Sequence, residues 1–461
     1  MNPLYDVVVV GGGNAALCAA MEARRAGASV LILEAAPRHS RGGNSRHTRN
    51  VRLVHERATD HLEGAYPEDE FWRDLIEVTG ETDERLARLL IRDSAGLGAW
   101  MTANGVRWQP ALAGTLQLSR TNAFFLGGGK ALLNTYYDTA LRLGVEVAYE
   151  SEVADVVPAG EGGASVSFRR GGVSREARGR AVVVASGGFE ADLDWLGEHW
   201  GAAAANFAVR GTPFNKGGPL RALLAQGAKP VADPRAFHAI AVDARGPRFD
   251  GGIVTRLDTI PFGIVVNRHA QRFADEGAGL WPKRYASWGA LIAAQPDQVA
   301  YSILDAKAAE AYMPSAYPPL RAASLRDLAP ALGLDPAALQ ATVQRYNTAI
   351  QPGTYDPARL DDCRTAGLDP PKSHWALPLT DPPFLAYPLR PGITFTYHGL
   401  AVDERARVLG QDGSPMPGLF AAGEVMAGNV LRRGYLGGVG MTIGSVFGRI
   451  AGREAAMHGL A

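Results

Sequence analysis

VVVVGGGNAALCAAMEARRAGASVLILE, from Val7 to Glu34, decides how this chain is built. The β-branched run Tyr5 to Val10 has the continuous apolar character of a strand buried on both faces of a parallel sheet. Asn14 to Arg25 then repeats apolar residues at helical spacing until Gly27, a residue type that commonly closes a helix. Between strand and helix lies Gly11-x-Gly13-x-x-Ala16. The first glycine permits a tight turn, the second lets backbone approach a pyrophosphate, and Ala16 keeps the helix close to the strand. The first turn of the helix, with Asn14 and Ala15, presents N–H groups that have no partner within the helix and suit phosphate oxygens. A second strand, Ser29 to Leu33, ends in Glu34, about 20 residues beyond the glycines, where a carboxylate accepts hydrogen bonds from a ribose diol. This unit predicts dinucleotide binding and does not by itself separate NAD from FAD.

The far end of the chain makes that separation. Gly418 to Glu424 reads GLFAAGE, a short apolar strand running into a glycine turn with a carboxylate. Gly434 to Gly452 reads GYLGGVGMTIGSVFGRIAG, a glycine-rich loop opening a final helix. A second helix N-terminus brought back to the first domain is what an extended FAD with a buried ring requires. Ala181 to Phe189, AVVVASGGF, is a further buried strand that ends in small residues, as needed where backbone passes close to a nucleotide.

The 461 residues carry 47 basic and 47 acidic side chains, a balance with no footprint for nucleic acid or an anionic membrane. Such a length suits two or three domains. Cys18 and Cys363 are the only cysteines, too few for a disulfide framework or a cysteine-ligated cluster in this chain. Cys18, inside the first helix, reads as a small buried hydrophobe. VVVVGGG is too short and glycine-broken to span a bilayer, and no charged segment with a long apolar stretch opens the chain. These features predict a soluble, cytoplasmic protein without membrane insertion, and no metal-ligand pattern is visible.

The βαβ unit, RGGNS at Arg41 to Ser45, ASGGF, QRFADEG at Gln271 to Gly277 and LFAAGE with its glycine loop together resemble the succinate dehydrogenase/fumarate reductase flavoprotein family over nearly the whole chain. The resemblance implies an α/β fold: a Rossmann-like FAD-binding domain of the GR2-type flavoproteins with an inserted α+β capping domain. The expected boundaries are 1–231 with 379–461 for the FAD domain and 232–378 for the cap, where the text turns polar and proline-rich. Helices are readable in the cap at Ala290 to Ala294, Ala306 to Tyr312, and Pro336 to Ile350 after Asp335. The FAD contacts so expected are Gly11, Gly13, Asn14, Ala15, Ala16, Glu34, Gly42, Gly43, Asn44, Ser45, Val153, Gly187, Gly423, Glu424, Gly440, Met441 and Ile443. The N–H groups from Gly440 to Ile443 would lie near the flavin pyrimidine, where negative charge develops on reduction. His47-Thr48 resembles the segment to which membrane-bound members attach FAD, yet its one-residue shift and the inserted GGN match the branch with non-covalent FAD, leaving His47 to phosphate or substrate.

In the resembled family a hydride passes between flavin N5 and a carbon beside a carboxylate, while a positioned side chain handles the proton on the neighbouring carbon. Arginine and histidine clamp the carboxylates. AFHAI assigns His238 to carboxylate binding, and the stretch WPKRYASWG assigns the proton to Arg284 first and Lys283 second. A guanidinium can carry a proton only if its neighbours stabilise the neutral form, since its ordinary pKa lies above about 12; the plain alternative is a clamp or surface charge. Two departures stand out. GITFTYHGLAVD puts Thr394 and Phe395 where the family has histidines, leaving Thr396, Tyr397 and His398 as replacements. Tyr435 stands where the family has an arginine, with Arg432 and Arg433 displaced and Arg433 the nearer choice.

HTRN, TFTY, AGNVLRRGYLGG and MTIG are closest to the branch of the family that oxidises tricarballylate to cis-aconitate and passes electrons to a separate, membrane-associated iron–sulfur protein. A tricarboxylate asks for several cations, and His238, Arg245, Lys283, Arg284, His398, Arg432 and Arg433 lie in the pertinent motifs. The rivals are a fumarate reductase-like enzyme, a 3-ketosteroid dehydrogenase-like enzyme using Tyr285, Tyr397 and Tyr435 around a carbonyl, and a flavin electron carrier with no substrate of its own.

Overall fold

The computed structural model describes residues 4–112, 118–158, 163–249, 255–312 and 315–461, with the side chains of Pro282 and Lys283 outside the description. Leu4–Val10 is central in the larger sheet. It pairs in parallel with Val30–Leu33 on one side, Val7 opposite Val30, and with Val173–Val184 on the other, Val7 opposite Ala181. Val7, Val8 and Val9 are wholly buried, which explains a run with no polar alternation. Pro415–Ala421 and Glu146–Ala148 extend the parallel sheet, and Arg407–Leu409 closes one edge in the antiparallel sense. Val173–Val184 changes character along its length: its first four residues are exposed, the next four alternate, the ladder with Ala164–Arg170 runs antiparallel over Val173 to Gly179, and Ala181 to Val184 are all buried.

The opening helix, Asn14–Arg25, packs against the last one, Val439–Leu460. A methyl group on Gly448 would stand 2.5 Å from the carbonyl oxygen of Ala15, and one on Gly452 would stand 2.2 Å from that of Ala19. With Gly444 one turn earlier, these glycines form a single face at four-residue spacing and let the two backbones approach more closely than any side chain would allow. Asn14 Nδ2 ties the helices together by donating to Met441 O (3.2 Å) and Ser445 Oγ (3.0 Å).

The chain forms two compact units. One comprises Met1–His199, Thr212–Phe237 and Phe395–Ala461; the other comprises Trp200–Gly211 and His238–Thr394. This division differs from the boundaries expected at 231/232 and 378/379 because Phe384–Thr396 is the spine of the second unit's sheet. Phe237–Asp243, Ala300–Leu304, Leu320–Ala322 and Ala208–Val209 all pair with it, and Ile264–Asn267 lies beyond Ala300–Leu304. Period-two alternation serves two cores. Ile264, Val266, Ile303 and Ala386 face Leu328, Leu339, Val343 and Tyr346 of the helices Leu325–Ala331 and Pro336–Ala349. Val265, Leu304, Leu385 and Leu389 face Trp281, Trp288 and Ile292. Asp335 caps its helix as expected, accepting from Ala337 N at 3.0 Å. The helix expected over Ala306 to Tyr312 shrinks to the turn Ala306–Ala308, since Asp305 accepts from Lys307 N, Thr380 N and Asp381 N and fixes the turn to a neighbouring segment.

Lys372 is fully buried in this unit, its Nζ donating to the carbonyls of Pro261 (2.8 Å) and Gly263 (2.6 Å). Burial pulls its pKa from 10.5 down to about 8, with the charge of Glu276 opposing. Between those two values the unfolded chain binds more protons than the folded one, so this group's contribution to stability rises with pH across that window. Lys372→Met should therefore change the stability difference from the parent by roughly 3 kcal/mol between pH 8 and 10.5, the parent gaining toward high pH. Denaturant titrations of both chains at the two pH values check this; parallel pH responses would refute it.

Candidate functional site

The first two residues of the turn after the opening strand, Gly11 and Gly12, leave no room for a side chain. Gly11 has φ 107°, and a Cβ there would stand 2.3 Å from Ala185 O on the neighbouring strand. A Cβ on Gly12 would stand 2.0 Å from Glu34 Oε2 and 2.2 Å from the Tyr137 hydroxyl. Gly12 is thus more crowded than Gly13, where a Cβ would meet nothing nearer than 3.4 Å, although the sequence pattern leaves its position open. The helix starts at Gly13 without a side-chain cap, and Ser45 Oγ accepts from Asn14 N at 3.2 Å.

Glu34 is buried at the end of the second strand. Its Oε1 accepts from Ala36 N (2.8 Å), and its Oε2 accepts from Gly42 N and the Tyr137 hydroxyl (both 3.4 Å). Burial raises its pKa, opposed by those bonds and by the charge of Arg41. The Arg41 guanidinium stands 4.1 Å from the Tyr137 ring and donates to the Tyr149 hydroxyl at 2.8 Å. A helix start whose N-cap residue has no side chain, a turn at Gly11 and Gly12 that a Cβ would fill and a buried carboxylate acceptor fit a pyrophosphate and its ribose.

A second cluster gathers Asn44, Gly187, Glu190, Asn215, Thr396 and Glu424. Asn44 Nδ2 and Asn215 Nδ2 both donate to Glu190 Oε1, at 2.5 and 2.7 Å. Thr396 donates to Glu424 Oε1 from its N (2.8 Å) and its Oγ1 (3.3 Å). Gly42, Gly43, Gly187 and Gly423 all have positive φ. A Cβ on Gly187 would stand 2.6 Å from Asn215 Nδ2, and one on Gly423 would stand 2.8 Å from Ala15 Cβ. Glu190 and Asn215 escaped the sequence reading; the only signal was an acidic residue directly after ASGGF. Val153 is a buried strand residue opposite Phe168, His47 ends the turn Gly43–His47, and Ala16 is wholly buried under the opening turn.

At the start of the last helix, Gly440 N donates to the Tyr435 hydroxyl at 3.0 Å, so this N–H is already occupied within the chain. Met441 O accepts from Asn14, and Ile443 is wholly buried. Phe395 stands 5.8 Å from Tyr435 and 6.1 Å from Tyr397, ring centre to ring centre, and the buried Tyr397 donates its hydroxyl to Gly434 O. His398 Nδ1 meets Ala232 O at 3.1 Å. Arg432 N donates to Thr79 Oγ1, and the exposed Arg433 has its guanidinium beside Gly80, which ends the helix Glu68–Thr79. A cation there complements the helix dipole.

In the second unit His238 is buried, with its ring edge-on to Tyr285 at 6.1 Å. Burial lowers its pKa well below 6.5, and the charges of Arg210 and Arg256 lower it further, so its imidazole is neutral. Arg256 lies over Tyr285 at 4.2 Å and donates to Asp258 at 2.7 Å, and Arg210 donates to Thr394 Oγ1 at 3.4 Å. Sequence reasoning missed both arginines, because neither lies in a motif it had singled out. Arg245, expected as a substrate cation, instead grips Asp243 through Nε (2.8 Å) and Nη2 (2.6 Å), a fork that leaves it committed to a structural pair. Arg284 ends the short helix Trp281–Arg284 and is exposed. The Lys283 side chain lies outside the described residues. Among the described residues no group of three His, Cys, Asp or Glu could hold a metal ion, and no helix is long and apolar enough to cross a membrane.

The family model described as FAD binding domain matches residues 6–441. An NADH:fumarate oxidoreductase of Klebsiella pneumoniae (strain 342) is 27% identical, over 98% of this chain and 48% of its own length, so the chain spans about half of that relative. A 4-oxocyclohexanecarboxylate 2-dehydrogenase of Sinomonas cyclohexanicum is 28% identical, over 98% of this chain and 93% of its own. Among solved structures, the open conformation of a flavocytochrome c3 fumarate reductase superposes with a TM-score of 0.75 at 23% identity, covering 99% of this chain and 79% of that one, a likeness of fold.

Proposed function

Since the chain belongs to the FAD binding domain family, with FAD as its cofactor and an oxidoreductase's chemistry, we propose that it oxidises a small polycarboxylate, tricarballylate to cis-aconitate. One observation carries the reading: His238 is a buried imidazole kept neutral beside the charges of Arg210 and Arg256. A neutral imidazole can donate to a carboxylate, and two guanidinium groups supply the charge to hold it. Tyr285 lies against Arg256, and Asp258 accepts from its Nε and Nη2 at 2.7 Å, so the guanidinium is held in place and contributes its charge and its remaining nitrogen. FAD, when bound, supplies the two-electron acceptor. Arg284 removes the proton from the adjacent carbon, with Lys283 as the alternative. His398, Thr396, Tyr397, Tyr435 and Arg433 remain candidates for the substrate's other groups, and Arg433 and Thr396 already serve partners within the chain.

Electrons leave to an acceptor outside these residues, a protein partner in this reading, since the two cysteines here are too few to ligate a cluster. The names of the relatives favour a second reading, reduction of a fumarate-like acid in the opposite direction. Anaerobic mixing of the yellow protein with tricarballylate, succinate or a 3-ketosteroid, followed by flavin bleaching, tests both. Bleaching by tricarballylate alone is the expected result. No bleaching, with reduced flavin reoxidised by fumarate, would replace it with the reductase reading.

A further inference from the structure

Glu190 and Glu424 face each other in the first unit, both buried, with no Lys or Arg paired to either among the described residues. Their donors can be counted. Glu190 Oε1 takes the amides of Asn44 and Asn215, and Glu424 Oε1 takes the N and Oγ1 of Thr396. Glu190 Oε2 is buried and receives no hydrogen from any of these groups. A single point, where a Cβ on Gly188 would stand, lies 2.3 Å from Glu424 Oε1 and 2.8 Å from Glu190 Oε2. Two ionised carboxylates this close, out of water and without a cation, would repel strongly. One proton converts that repulsion into a hydrogen bond.

We propose that Glu190 and Glu424 share one proton, carried on Glu424 and donated to Glu190, and that this acid pair is a positioning device clamping the segments of Asn44, Gly187–Gly188 and Gly423–Glu424 around FAD. The proposal rests on the reading of those segments as FAD contacts. Burial raises the pKa of both groups, and the charge of Glu190 drives Glu424 furthest, which places the proton on Glu424. The groups facing the pair are Asn44, Asn215, Thr396 and backbone N–H, none of which titrates. As pH rises through the raised pKa the proton leaves, two like charges oppose each other, and the clamp loosens.

The holoenzyme, Glu424→Gln and Glu190→Gln decide the matter. At pH 8 the exposed carboxyls are ionised, so an infrared difference spectrum isolates a buried protonated carboxyl. The expected band is present in the parent and lost in both variants, because either change leaves the other carboxylate with a neutral amide. No such band, or one that survives either substitution, overturns the proposal; a contribution from buried Glu34 persists in both variants and cancels. The dissociation constant for FAD should rise by up to tenfold per pH unit for the parent as pH climbs through the pair's raised pKa, and stay flat for Glu424→Gln. A flat parent profile would remove the clamp while leaving the shared proton to the infrared result. A protein that binds no FAD would sink the reading of the site, and the band would still decide the pair. If Glu424→Gln does not fold, Glu190→Gln carries the test alone.

Discussion

Gly11→Ala is expected to yield a chain that carries no FAD and unfolds at lower temperature than the parent. The backbone at Gly11 sits at φ 107°, where an L side chain is strained, and the added methyl would overlap the carbonyl oxygen of Ala185 at 2.3 Å. That oxygen belongs to backbone at the end of a central parallel strand, paired on both sides, so it cannot yield without disturbing the ladder that holds the turn. Strain and overlap together cost on the order of 3–5 kcal/mol. Gly27→Ala is the control. Its φ is 98° but no atom lies within 4 Å of the added methyl, so only the strain of about 1–2 kcal/mol remains. Flavin-to-protein ratio after purification, with thermal unfolding of both variants, checks the contrast. Full flavin content in Gly11→Ala would show that the turn does not hold the pyrophosphate.

Arg284→Gln should lower kcat by on the order of 10²–10⁴, the range lost with a general acid or base, while flavin content stays at the parent value. Arg256→Gln should act differently, raising KM for the polycarboxylate more than it lowers kcat, because a clamp binds ground state and transition state alike. Steady-state kinetics of the two variants separates the roles. If Arg284→Gln turns over normally, its exposed position is that of a surface charge and Arg210 or Arg256 must be tested as the proton carrier.

The strand–turn–helix from Tyr5 to Glu34 was legible because its residues act locally: the strand is buried on both faces, and the glycines answer to the backbone they sit in. Much of the candidate site was not. Gly12 is required by Glu34 and Tyr137, which reach it from elsewhere in the chain, so no spacing rule marks it. Arg210 and Arg256 approach His238 from separate segments, and charge that converges in space leaves no trace in a linear motif. Arg245 shows a similar limit. A cation near a motif looks available until Asp243, two residues away on the same strand end, is seen to take its Nε and Nη2 and Pro318 O its Nη1. The glycines of the last helix had two claims on them, and Gly444, Gly448 and Gly452 answer to the opening helix.

That helix pair also sets an order of events during synthesis. Asn14 leaves the ribosome well ahead of the groups its side chain bonds, Met441 O and Ser445 Oγ, which follow 427 and 431 positions later. At roughly 5–20 residues per second, the interval is on the order of 20 to 90 seconds. Through that time Ala15 and Ala19 have no glycine face to close upon, and the cofactor turn lacks the helix that supports it. The last helix therefore cannot brace the cofactor turn until that interval has passed, because the contacts between them are separated by nearly the whole sequence.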